Sequence, residues 1–109
     1  MGAHSVSFEF SGRLTKDQVS TKFHQMQEKE DRKLKRIAKI DPDMVEGYYS
    51  DLGYIKFEDK LFEDEHEAYM YCIDRAERWE YCYAVKTKTL KPGAKKRTTI
   101  WLVVGWFSE

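Results

Sequence analysis

Val6, Phe8 and Phe10 alternate with Ser5, Ser7, Glu9 and Ser11, the two-residue period of a strand with one buried and one wet face. Gly12 and Arg13 then turn the chain. Thr15 with Gln18 three residues later forms a capping box, and Leu14 and Val19 occupy the positions that staple the start of a helix. From Lys16 onward Val19, Phe23, Met26, Leu34, Ile37 and Ala38 keep helical spacing. The helix is expected to end before Asp41-Pro42, because a residue preceding proline is pushed out of the helical region. Residues 27–33 are almost wholly charged or polar, so the helix either runs past the sheet into solvent or breaks there.

Residues 42–46 read as one short turn stopped by Gly47, and Tyr48, Tyr49 and Tyr54 make an aromatic loop leading into a second strand at 54–57. Asp64 and Glu67 form a further capping box. Behind it Ala68, Tyr69, Cys72, Ile73, Ala76 and Trp79 mark the apolar face of a second helix, with Asp74, Arg75, Glu77 and Arg78 on the other side. Residues 81–90 are rich in β-branched and aromatic types, Lys91-Pro92-Gly93-Ala94 is a turn with proline second and glycine third, and residues 98–107 return as a strand. The order is βαβαββ. It predicts an α+β fold, a two-layer sandwich in which two helices cover one face of a mainly antiparallel four-stranded sheet. The last strand is apolar on both alternating sets. Either it is central, its outer face shielded by Tyr48, Tyr49 and Tyr54, or it presents Trp101, Val103 and Phe107 as an apolar patch for a partner. Two copies pairing through this strand would give a homodimer.

With 109 residues the chain is the size of one domain, 1–109, and 41% hydrophobic residues are enough to offset the ordering entropy that keeps polar chains disordered. No run approaches the roughly 18 apolar residues of a membrane span, and MGAHSVSFEF lacks the charged start and apolar core of a signal peptide, so a cytoplasmic protein is expected. Cys72 and Cys82 read as buried free thiols. With His24 and His66 they make no CxxC or HxxxH spacing, so no metal site is expected. The absence of GxGxxG after the first strand and of GxxxxGK[ST] anywhere argues against the common nucleotide folds, and no cofactor is expected. His4, His24 and His66 fall on a terminus, in a charged helix and in the first turn of the second helix, with no nucleophile at motif spacing. The chain is not read as an enzyme.

Charge changes the picture more than its zero sum suggests. Residues 1–40 hold nine basic and five acidic residues, 41–80 hold four and thirteen, and 81–109 hold six and one. The acidic stretch, with Asp59, Glu63, Asp64, Glu65 and Glu67 at its centre, could dock on a basic protein surface by standing in for phosphates. The closing hairpin, with Lys86, Lys88, Lys91, Lys95, Lys96 and Arg97, could instead contact a nucleic-acid backbone. Both stretches also have ordinary uses, since acids cap helices and lysines guard sheet edges.

The segments GAHSVSFEFSG, GYYSDLGYIKF and DEHEAYMYCIDRAERWEYCYAVK together resemble, in style, small accessory proteins of bacteriophages and mobile elements. The resemblance carries no catalytic motif. It implies a compact inhibitor that binds a host defence protein handling nucleic acid, in the manner of anti-CRISPR proteins. The expected function is therefore protein docking through the acidic surface, with nucleic-acid binding through the basic hairpin as the alternative.

Overall fold

The structure is a computed structural model that describes residues 3–45 and 47–108. Strand β1 (Ala3–Ser11) is followed by helix α1 (Lys16–Ile40), two short 3₁₀ helices (Pro42–Met44 and Tyr49–Leu52), β2 (Tyr54–Phe62), α2 (Glu65–Ile73), β3 (Tyr81–Thr89) and β4 (Thr98–Ser108). The 3₁₀ helix at Pro42–Met44 falls within the short turn expected at 42–46, whereas that at Tyr49–Leu52 is an addition to the expected order. Glu46, the end of the expected turn at 42–46, lies outside the described residues. Among the described residues no helix is long and apolar enough to cross a membrane.

The four strands form one mixed sheet in the order β1-β4-β3-β2. The β1/β4 and β4/β3 pairs are antiparallel as expected, whereas β2 and β3 run parallel. It follows that β1, β2 and β3 all point one way and β4 the other. The chain crosses from β1 at one edge to β2 at the far edge through α1, then steps back to β3 through α2. Crossovers between parallel strands keep one hand, so reversing the direction of travel sends the second helix to the opposite face.

The core shows that result. Val19 and Phe23 of α1 pack with Ile55, Cys82, Ala84, Trp101 and Val103, while Ala68 and Cys72 of α2 pack with Val85, Leu102 and Val104. Alternate residues of β3 and β4 thus belong to different clusters. The expected two-layer sandwich with both helices on one face is corrected to a sheet covered on both faces. Polar β1 misled the expectation. Its outward Ser5, Ser7, Glu9 and Ser11 signal a wet face only at that edge, where α2 reaches β1 through polar side chains, the Tyr69 hydroxyl to Ser5 Oγ and Glu65 to Glu9. One strand over, β4 is apolar on both sides because both sides are covered.

Helix α1 does not break. Val19, Phe23, Gln27 and Asp31 are its buried residues, one stripe at four-residue spacing. Where the stripe leaves the sheet it turns polar to meet backbone. Gln27 Nε2 donates to the carbonyls of Tyr49 (2.9 Å) and Gly53 (3.1 Å), and the Asp31 carboxylate accepts from the amides of Tyr49 (2.6 Å) and Ser50 (3.0 Å). The second helix is shorter than its apolar spacing suggests, ending at Ile73. Trp79 sits instead in a turn, with φ +73°. Strand β2 extends to Phe62 through a register shift between Phe57 and Leu61.

Candidate anion-binding site

At the carboxyl ends of β1 and β3 the chain makes two turns that meet across the start of β4. The first is the Ser11-Gly12-Arg13 turn, whose Leu14 amide donates to the Ser11 carbonyl and whose Arg13 amide donates to Ser11 Oγ. The Gly12 amide donates to the Thr99 carbonyl at 3.0 Å. That approach requires glycine, since a Cβ at position 12 would stand 2.7 Å from the same oxygen. The second is the expected hairpin turn, with the Ala94 amide donating to the Lys91 carbonyl and Gly93 at φ +80°.

Between them lies a crevice of about 580 Å³ lined by Ser11, Gly12, Arg13, Lys91, Arg97, Thr98, Thr99 and Ile100. Three basic residues and three hydroxyl-bearing residues line it, and no acidic residue is among them. Among the described residues no carboxylate lies within ion-pair distance of Arg13, Lys91, Lys95 or Lys96. Arg97 is held by Glu63 at 3.6 Å, which also pairs with Lys88 at 3.5 Å. Beside the crevice Glu9 is raised above the ordinary carboxylate range, first by its hydrogen bond with Glu65 and then by partial burial, while Lys91 pulls the other way. Glu65 in turn accepts from the Thr89 hydroxyl at 2.8 Å.

The basic set expected from sequence is thereby divided. Lys91 and Arg97 line the crevice, and Lys95 and Lys96 are exposed in the hairpin loop. Lys86 lies on the α1 face with its ammonium 5.1 Å from the centre of the Trp101 ring, and Lys88 is taken by Glu63. Arg13, Ser11, Thr98 and Thr99 were not singled out. The missing signal was the register of β1 on β4, which sets Ser11 opposite Ile100.

The acidic set is largely engaged with its own chain. Asp59 binds Lys16 at 2.8 Å, which holds its carboxyl below the usual range, and Glu63 pairs with Lys88 and Arg97. Asp64 caps α2 by accepting from the His66 amide, Glu65 binds Thr89, and Glu67 stands exposed in the first turn of α2. The apolar patch is corrected outright. Trp101 and Val103 are 2% and 0% exposed beneath α1, and Phe107 packs against Tyr49. Nor can β4 pair with a second copy, because both of its edges are already bonded within the sheet.

Elsewhere Glu58 accepts from the hydroxyls of Tyr83 (2.6 Å) and Tyr71 (2.7 Å), which lowers its carboxyl and pushes Tyr83 up to about 12. Burial pushes Cys72 and Cys82 up to about 12 as well, so neither thiol is poised as a nucleophile. Among the described residues no three metal-ligating side chains converge. Comparison with known proteins found no matching family model, no similar curated protein and no similar solved structure.

Proposed function

We propose that the protein is a nucleic-acid-binding accessory protein that grips phosphate groups with the basic end of its sheet. The observation that carries this reading is a recess lined by Arg13, Lys91 and Arg97, with Lys95 and Lys96 exposed in the adjoining hairpin loop and, among the described residues, no carboxylate within ion-pair distance of Arg13, Lys91, Lys95 or Lys96. Cations left unpaired on a chain of zero net charge have countercharge to gain from a polyanion, and releasing that polyanion's condensed counterions drives association. The rival reading, inhibition of a host defence protein through the acidic surface, has less to work with, since Asp59, Glu63, Asp64 and Glu65 already bind groups of their own chain.

The test is fluorescence anisotropy with labelled single- and double-stranded oligonucleotides over a range of salt. On a duplex, log K should fall linearly with log salt by about 0.9 per phosphate contacted, and the double variant Lys95→Glu, Lys96→Glu should flatten that slope by about two such contacts. Absence of salt-dependent binding to any oligonucleotide would overturn the reading. The exposed position of both lysines makes misfolding of the variant a poor excuse for a negative result.

A further inference from the structure

We propose that the crevice between the end of β1 and the start of β4 seats a phosphomonoester, the group found at the phosphorylated end of a nucleic-acid strand or on a mononucleotide. This deepens the reading of the basic end as a nucleic-acid contact, and it rests on three observations.

The first is position. In open sheets with crossovers on both faces, ligands bind outside the carboxyl ends of the strands. The crevice lies at the carboxyl end of β1, where the chain turns toward α1, beside the start of β4.

The second is size. About 580 Å³ falls within the range of pockets that enclose small ligands, large enough for one nucleotide and too small to admit a duplex. Its floor is set by the contact of Gly12 with Thr99, which draws the Arg13 turn over the start of β4.

The third is chemistry. A phosphomonoester carries about −1.5 to −2 at neutral pH with three free oxygens, against the single charge of a backbone diester. Arg13, Lys91 and Arg97 in the lining answer the charge, and the hydroxyl-bearing residues Ser11, Thr98 and Thr99 line the crevice with them. An arginine guanidinium presents a planar fork that matches two phosphate oxygens at once. Arg97 pairs with Glu63 at 3.6 Å. Lys95 and Lys96, exposed in the hairpin loop outside the crevice, are left to follow the adjoining backbone.

The experiment compares one oligonucleotide sequence bearing a 5′-phosphate, a 3′-phosphate or neither, bound to the full chain, and adds a titration with adenosine monophosphate followed by amide chemical shifts. A phosphorylated end should raise affinity by about tenfold, a gain of the size expected for charge-assisted bidentate contacts. Arg13→Gln should erase that ratio, whereas Lys95→Glu with Lys96→Glu, outside the crevice, should weaken phosphorylated and unphosphorylated strands alike and leave the ratio unchanged. Lys91→Gln should reduce the ratio in the same direction. Adenosine monophosphate should shift the amides of Gly12, Arg13, Thr98 and Thr99.

Equal affinity for phosphorylated and hydroxyl ends would overturn the proposal while leaving nucleic-acid binding intact. If no oligonucleotide binds at all, the wider reading fails and the mononucleotide titration judges the crevice alone. Shifts confined to its lining would uphold it, and their absence at millimolar nucleotide would sink it.

Discussion

Asp31 is a charged residue 7% exposed in the middle of a helix, and it is there because its carboxylate closes two backbone amides of the following loop. Replacing it with alanine leaves the amides of Tyr49 and Ser50 without that acceptor, a loss of about 1–3 kcal/mol. Asp31→Ala should therefore lower the urea midpoint, and Asp31→Asn, which keeps one carbonyl oxygen, should lose less. Trp79 poses the opposite case. Its φ of +73° in a turn is a conformation that suits glycine and strains a bulky residue, and its side chain is 57% exposed. Trp79→Gly should raise the thermal midpoint, with about 1 kcal/mol of strain relieved. Neither residue could be read from periodicity. Asp31 sits in a run of charge that resembles a solvated face, and Trp79 continues the apolar spacing of a helix that has already ended at Ile73. In both, a contact distant in sequence or a turn overrode the local pattern.

At the scale of elements, the meeting of β1 with the start of α2 sets a pH dependence. The Glu9 carboxyl is raised above its ordinary 4.5, so the folded protein holds that proton more firmly than the unfolded chain does. The stability this contributes is fully present below 4.5 and is lost as pH rises through the raised value. Glu9→Gln cannot ionise and keeps a neutral partner for Glu65. The variant should melt above the parent at pH 7, and the gap should close as pH is lowered to 4.5. A gap independent of pH would show that Glu9 and Glu65 do not repel. Glu58 and Asp59, whose carboxyls are lowered, act in the opposite sense and over a lower range, losing their contribution as pH falls through their depressed values.

Most elements were legible. The Thr15–Gln18 capping box is formed in both directions, with Gln18 donating to Thr15 Oγ1 and Thr15 donating back to Gln18 Oε1, and the Pro92-Gly93 turn lies where its residue types placed it. Their signals are local and close over three or four residues. What was not legible was which face each helix takes, because that depends on the strand order and strand order is written in no short segment. The crevice was missed for the same reason. Its two walls come from Ser11–Arg13 and Arg97–Ile100, neighbours only once β1 lies against β4.

For the whole molecule, the decisive arrangement is that β1 bonds to β4 and to no other strand. Phe8 lies opposite Val103, so strands from the two ends of the chain complete each other. Removing residues 98–109 should leave β1 without hydrogen-bond partners and strip the Val103 and Leu102 contacts from both cores, giving a chain with little ordered sheet by circular dichroism. A shortened chain that kept cooperative melting would contradict this. On the ribosome the same arrangement imposes a wait. Val6, Phe8 and Phe10 are synthesised well before the ladder that shelters them, so a sticky, half-satisfied segment must stay out of trouble until β4 follows. Closing so wide a loop is slow. The serines and glutamate that alternate with those three side chains are the natural guard for the interval, keeping the orphaned segment soluble until its neighbour arrives.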